Sequence, residues 1–256
     1  MGVFDSGLGG LTVLRALRQR LPREDFLYFA DTRYLPYGDR PEAFLKERGV
    51  RVAEAMVSQG VKVLVIACNT ASAAAAEAIR AHLSIPVVAL EPGVKPAAAL
   101  SAKGVIGVMA TTRTLESRRF HRLVDNHAAD IQVIAQPCPG LAESIEAYGS
   151  ESPALDPLLD ETVTPLAEAG VDTVVLGCTH YPWVRERIAA RLPAGTRVID
   201  TGDAVARQVE RVLLSRGLQG GGDGRLTVAT SGIPQQVKDT VTRLLGVHLN
   251  IDHWEV

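Results

Sequence analysis

Short apolar runs alternate with longer amphipathic stretches along this chain, and that alternation predicts its elements. Runs rich in Val, Ile and Leu read as strands over 2–4, 26–30, 61–67, 87–90, 105–109, 131–135, 171–177, 198–200, 226–229 and 248–251. Several carry no polar alternation, as strands covered on both faces of a parallel sheet require. Helical periodicity fills the stretches 11–21, 42–59, 71–83, 115–126, 157–169, 184–192, 205–215 and 235–245. Strand followed by helix, repeated, implies βαβ units with right-handed crossovers and mainly parallel sheets.

Ten strands crowd a single sheet, so the pattern predicts an α/β fold of two pseudo-symmetric domains. A weak internal repeat points the same way. VKVLVIACNT at 61–70 aligns without a gap with VDTVVLGCTH at 171–180, and GVFDSG at 2–7 aligns with GVMATT at 107–112. Each copy places a Cys where a strand ends and a helix is expected. Turn-rich EPGVKP (91–96) and DTGD (200–203) mark the boundaries. Domain one is expected over 1–91 plus 201–256, and domain two over 92–200.

Composition adds limits. With 256 residues, 46% apolar and 22% charged, the chain can bury a real core without staples and is not disordered. A net charge of −2 gives no electrostatic case for nucleic acid or a membrane surface. The most apolar stretch, 61–76, holds Lys62, Asn69 and Thr70 and is too polar and short to span a bilayer. Met1 leads directly into GVFDSG without a basic start, so no targeting segment is expected and the cytoplasm is the expected location. Three cysteines suit a reducing compartment.

In open α/β sheets ligands bind at the carboxyl ends of strands. Polar clusters fall there: Asp5-Ser6-Gly7, Asp31 with Pro36-Tyr37-Gly38, Cys68-Asn69-Thr70, Thr111 to Thr114, and Cys178-Thr179-His180. A free Cys is most often a small core hydrophobe, and Cys138, between prolines, is read that way. Cys68 and Cys178 differ because each precedes residues able to cap a helix, and a sulfur at a helix N-terminus favours the thiolate. A redox pair would more often take the form C-x-x-C. Zinc would need about four ligands, and only Cys68, Cys178 and His180 offer themselves, so no metal is expected. Two-base proton transfer remains: inverting a carbon centre takes a proton from one face and returns one to the other, which two opposed thiols can do. Asp5 could assist or simply close a turn. His180 could shuttle a proton or be a satisfied histidine at a helix start. Glu143 and Glu146 lie on a short helical stretch whose pattern turns them to solvent. Ser6, Asn69, Thr70, Thr111, Thr114 and Thr179 are neutral donors suited to carboxylates, or caps. No cofactor is expected: of five lysines only Lys95 stays open as a pyridoxal anchor.

GVFDSGLGGLTVLRAL, DTRYLPYG, ACNTASA and LGCTHYP, in that order, resemble the bacterial glutamate racemases of the aspartate/glutamate racemase superfamily over essentially the whole chain. The resemblance implies cofactor-independent interconversion of L- and D-glutamate in an active site in the cleft between the two α/β domains, with D-glutamate feeding peptidoglycan synthesis, and a homodimer. It implies that Cys68 serves the D-enantiomer and Cys178 the L-enantiomer, with Asp5, His180 and Glu146 as helpers. Asp5, Ser6, Tyr37, Gly38, Asn69, Thr70, Thr114, Thr179 and His180 match its substrate-binding positions. Gly140 stands where the family often has a bulkier residue, which bears on the placement of Glu146. The start of the chain at its first strand leads us to expect no N-terminal regulatory extension. An aspartate or hydantoin racemase could use the same thiols, and a binding protein could dispense with both.

Overall fold

All strand pairs run parallel, as the unbroken apolar runs require. The computed structural model describes residues 1–256. In chain order the first elements are β1 (Gly2–Asp5), α1 (Leu11–Arg20), β2 (Phe26–Ala30), α2 (Glu42–Ser58), β3 (Leu64–Ile66), α3 (Asn69–His82) and β4 (Val87–Ala89). There follow α4 (Val94–Leu100), β5 (Val105–Ala110), α5 (Thr112–Glu116), α6 (Arg118–His127), β6 (Gln132–Pro137), α7 (Leu141–Tyr148), α8 (Asp156–Glu168), β7 (Thr173–Leu176), α9 (Arg185–Ala189) and β8 (Arg197–Ile199). The chain ends with α10 (Gly202–Arg216), β9 (Leu226–Thr230), α11 (Pro234–Leu245) and β10 (Ile251–His253).

Two units result, Met1–Leu90 with Gly202–Val256, and Glu91–Thr201. The first holds a six-stranded sheet in the order β10-β9-β2-β1-β3-β4, and the second a four-stranded sheet in the order β6-β5-β7-β8. Glu91 and Thr201 lie in the second unit, one residue outside the expected range at each end. Glu91 is held there by its ion pair with Arg119 at 2.6 Å.

In the first unit α1 packs on α10 and α2 on α3. The sheet order steps from β1 to β2 on one side and from β3 to β4 on the other, so right-handed crossovers put these helix pairs on opposite faces. Phe4, Phe29, Leu45, Met56, Leu64, Ile66, Ala75 and Ile79 form the core on the α2–α3 side. In the second unit Ile106, Val108 and Ala110 of β5 pack with Val94, Ala97 and Phe120. The alternate position, Gly107, faces Leu166 of α8, so that sheet too is covered on both faces.

The differences from expectation are local. Helix α4 was not predicted; its short VKPAAAL segment has too little length to show a period. The stretch 115–126 breaks at Ser117, which adopts an extended conformation and caps α6 by accepting from the Phe120 amide at 3.1 Å. Strand β10 lies at Ile251–His253 rather than 248–251, because its register is set by pairing with 228–230 of β9. No helix is long and apolar enough to cross a membrane.

Candidate active site

The two sheets share a design. Order β2-β1-β3-β4 in one unit matches β6-β5-β7-β8 in the other, and the direction of winding reverses between β1 and β3 and between β5 and β7. Such reversal points are where open α/β sheets bind ligands. The register is the same at both. The Ala67 amide donates to the Phe4 carbonyl at 2.7 Å, and the Gly177 amide donates to the Met109 carbonyl at 2.7 Å. The next residue in each case is a cysteine, Cys68 or Cys178. A side chain at position 177 is excluded, because a Cβ there would lie 2.8 Å from the Met109 carbonyl oxygen.

Cys68 is buried and is itself the cap of α3: its Sγ accepts from the Ala71 amide at 3.4 Å. The expectation that Asn69 or Thr70 caps this helix is thereby corrected. The sulfur occupies the position where the unpaired amides and the helix dipole favour negative charge. Ser6 Oγ lies 3.6 Å from Cys68 Sγ and 3.5 Å from Asp5 Oδ1. Asp5 is fully buried. Its Oδ1 accepts from the Ser6 amide at 2.8 Å and its Oδ2 from the Gly10 amide at 2.6 Å. The carboxylate therefore does close the turn after β1, and from there it also holds Ser6 beside the thiol. Two supporting residues escaped the sequence reading. Tyr28 donates its hydroxyl to the Gly7 carbonyl at 2.8 Å, 3.5 Å from Asp5 Oδ2. Gly10 leaves room for the carboxylate, since a Cβ there would lie 2.8 Å from the Asp5 Cβ. A lone tyrosine in FLYFA and one glycine among several give no local signal of this role.

Asn69 and Thr70 are buried at the start of α3, and Asn69 Oδ1 has no hydrogen-bond partner. Tyr37 and Gly38 lie in a 3-10 turn, Tyr37–Asp39. Tyr37 is buried in the same core cluster as Cys68, with its ring edge-on to Phe4 at 6.3 Å.

Cys178 has different support. The chain beyond it forms a 3-10 turn, Tyr181–Val184, before α9, so this sulfur does not cap an α-helix and the helix-dipole expectation fails here. The imidazole of His180 takes that place: Nδ1 lies 3.7 Å from Cys178 Sγ and Nε2 lies 2.6 Å from Glu146 Oε1. Glu146 is not turned to solvent, as its pattern suggested; the side chain is 13% exposed. Helix α7 starts after Gly140 in the left-handed region, at φ 74°, and buries Leu141 and Ile145, which sets Glu146 beside His180. Burial is the largest influence on His180 and opposes its charge, yet the two acceptors outweigh it and raise its pKa well above the ordinary value. Thr179 is buried in the same turn. Thr114 is buried beyond β5, with its hydroxyl 2.9 Å from that of Thr111, which caps α5.

Cys138 is a core thiol. Burial pushes its pKa up to about 12, and its Sγ donates to the Gln136 carbonyl at 3.5 Å. No set of three His, Cys, Asp or Glu side chains is arranged to hold a metal ion.

Two topologically equivalent α/β units, each carrying a cysteine at the equivalent strand end, define a racemase-type architecture, and the chain belongs to the Asp/Glu/hydantoin racemase family, whose profile matches residues 13–209. It is 49% identical over 248 residues to the glutamate racemase of Pseudomonas aeruginosa, covering 96% of this chain and 94% of that protein. It is 51% identical over 224 residues to the glutamate racemase of Ralstonia nicotianae, covering 87% of this chain and 80% of that protein. Among solved structures it resembles glutamate racemase isoform RacE1 of Bacillus anthracis at 29% identity and a TM-score of 0.91, covering 100% of this chain and 97% of that one. It resembles the Escherichia coli glutamate racemase in complex with L-glutamate and the activator UDP-MurNAc-Ala at 32% identity and a TM-score of 0.86, covering 98% of this chain and 97% of that one.

Proposed function

We propose that this protein interconverts L- and D-glutamate by proton transfer with two thiols, Cys68 and Cys178, acting on opposite faces of the substrate α-carbon. The observation that carries the reading is the equivalence of the two cysteines: same strand end, same register, one in each unit. Relatives about half identical to this chain are glutamate racemases, which favours glutamate over other amino acids as substrate.

From the L-enantiomer, the Cys178 thiolate takes the α-proton and the Cys68 thiol delivers one to the opposite face. From the D-enantiomer the roles exchange. One thiolate and one thiol stand at the start and at the end of each turnover, with their places swapped. His180, held between Cys178 and Glu146, stabilises the thiolate on one side. On the other side the α3 N-terminus and Ser6, steadied by Asp5, stabilise the Cys68 thiolate. A thiol of pKa about 8.5 is a weak base toward a carbon acid, so most of the rate must come from positioning and from stabilising the developing carbanion. Asn69, Thr70, Thr114 and Thr179 are the buried polar groups for this, with Tyr37 and Gly38 closing the substrate site. The open acceptor Asn69 Oδ1 suits the substrate ammonium group. The proposed setting is the cytoplasm, the assembly a homodimer, and the use of D-glutamate peptidoglycan synthesis.

The test is α-deuterium uptake in D2O by purified protein without added pyridoxal phosphate. Glutamate should exchange and racemise, and aspartate and hydantoins should not. Cys68→Ala and Cys178→Ala should each abolish racemisation. No α-deuterium in either glutamate enantiomer with folded protein overturns the proposal, and substantial turnover by either variant removes that thiol from it.

A further inference from the structure

The first unit contains a buried ion pair that the mechanism above does not use. Asp31, at the carboxyl end of β2, is fully buried, and Arg48, midway along α2, is 4% exposed. The pair is bidentate: Arg48 Nη2 donates to Asp31 Oδ1 at 2.6 Å and Nε to Oδ2 at 2.8 Å. Desolvating two charges is costly, and well-packed apolar residues often serve stability as well or better. A role in stability alone therefore explains such a pair poorly.

Its contacts converge on the turn between β2 and α2. The Tyr37 hydroxyl donates to Asp31 Oδ2. The Arg48 guanidinium carbon lies 4.5 Å from the centre of the Tyr34 ring, and its Nη1 donates to the main-chain oxygen of Val256. Residues 254–256 are in turn tied to the sheet: the Trp254 amide donates to the Thr230 carbonyl at 2.9 Å, and the indole stacks on Phe29 at 5.8 Å. Residues 31–39 have only two 3-10 turns, Thr32–Tyr34 and Tyr37–Asp39, and no strand or α-helix to fix them. The Tyr37 ring touches Phe4, the residue before Asp5, within the cluster that contains Cys68. The Asp31 amide also donates to the Asp5 carbonyl at 2.9 Å. Charge matters to the anchor. Arg48 pairs with both oxygens of the buried carboxylate, and a hydroxyl donating to an ion-paired carboxylate makes a stronger bond than a neutral pair does. Burial and the Asp31 charge both raise the Tyr37 pKa, so the phenol stays the donor.

We propose that Asp31 and Arg48 are positioning residues, an ion-paired brace that holds the Tyr37 hydroxyl and so fixes the Tyr37–Gly38 backbone where glutamate binds. This deepens the reading above and rests on its assignment of Tyr37 and Gly38 to substrate binding. The two residues act through Tyr37 and touch no reacting atom.

The test is steady-state kinetics in both directions on Asp31→Asn, Arg48→Lys, Tyr37→Phe and the pair Asp31→Asn/Tyr37→Phe, each normalised to folded protein. Loss of loop position is expected to raise KM for both enantiomers by about tenfold, with kcat changed by no more than about threefold. Arg48→Lys keeps the charge without the fork and should fall between wild type and Asp31→Asn. Asp31→Asn and Tyr37→Phe should not add: the double variant should match Asp31→Asn alone. Where a single variant leaves a lone buried charge and does not fold, Asp31→Asn/Arg48→Gln removes both charges and decides the matter through the same KM rise. Folded variants that lose thermal stability but keep KM within about twofold of wild type overturn the brace, as does additivity of Asp31→Asn with Tyr37→Phe. A wild-type protein that does not racemise glutamate overturns the functional reading and the brace together, so the two failures are told apart by the wild-type assay.

Discussion

His180 Nδ1 lies 3.7 Å from Cys178 Sγ, whereas Cys68 Sγ has the Ser6 hydroxyl beside it at 3.6 Å. The two thiols occupy equivalent strand ends yet are supported by different chemistry: an imidazole backed by a carboxylate on one side, a helix N-terminus and a neutral hydroxyl on the other. A histidine held between two acceptors is stabilised as the cation, and it stands beside only one of the two thiols. Iodoacetamide labelling of the free protein should therefore distinguish the two thiols, with Cys178 the one that depends on the imidazole. His180→Gln should slow labelling of Cys178 by about tenfold and leave Cys68 unchanged. Peptide mapping by mass spectrometry over a time course reads this directly; equal labelling of the two thiols would show that the imidazole does not set the difference.

Cys138 supplies the internal control. With a pKa of about 12 it is almost entirely protonated at neutral pH. Its backbone carbonyl accepts from the Tyr181 hydroxyl at 3.4 Å. Cys138→Ala should keep kcat and KM within about twofold of wild type and lose roughly 1–2 kcal/mol of stability from the small cavity. A racemisation assay beside a urea titration checks both parts, and a large fall in kcat in folded protein would make Cys138 a third participating thiol.

The sheets were legible because strands covered on both faces must be continuously apolar, so 26–30 and 105–109 stand out with no partner in view. The equivalence of the two strand ends that precede Cys68 and Cys178 was legible as well, through the matching runs 61–70 and 171–180. What surrounds each sulfur was not. Both look alike in sequence, each followed by cap-forming residues, but only Cys68 meets an α-helix; the chain after Cys178 makes a 3-10 turn. Glu146 reads as a surface residue because its partner, His180, lies 34 residues away. For the same reason Arg48 does not stand out in the sequence, since Asp31 and Val256 reach it from outside the helix. Local periodicity reports which positions are covered by apolar neighbours. It carries no signal for a charge buried against a partner that is distant in the chain.

The raised pKa of His180 has a stability consequence whose sign follows from linkage. An unfolded histidine titrates near pH 6.5, and the folded value lies well above that. The folded state holds the proton more tightly, so the contribution is complete below the unfolded pKa and is lost as pH rises through the folded pKa. Glu146→Gln weakens this contribution by replacing a charged acceptor with a neutral one. The margin of wild type over Glu146→Gln should be roughly 1–3 kcal/mol near pH 6, and it should narrow as pH rises. Urea denaturation of both proteins across that range measures it. A margin that widens with pH would mean that the imidazole is neutral in the folded protein.

Gly10 makes the strongest steric prediction. A Cβ at this position would lie 2.8 Å from Asp5 Cβ and 3.0 Å from the Tyr28 hydroxyl, and the nearer atom, Asp5 Cβ, is fixed to the backbone and cannot swing away. The Gly10 amide also donates to Asp5 Oδ2 at 2.6 Å, so any shift that relieves the clash lengthens the bond that holds the carboxylate. Asp5 in turn holds Ser6 beside Cys68. Gly10→Ala should cost about 1–3 kcal/mol of stability through overpacking and lower turnover in the folded fraction by about tenfold or more, because the support on one thiol moves. Tyr28→Phe separates the two effects: it removes the 2.8 Å bond to the Gly7 carbonyl without adding volume. It should give a smaller stability loss and a milder fall in kcat. Denaturation midpoints and kcat measured on both variants distinguish the cases. If Gly10→Ala is destabilised while its folded fraction turns over at the wild-type rate, the Asp5–Ser6 arrangement closes a turn and contributes nothing to the thiol beside it.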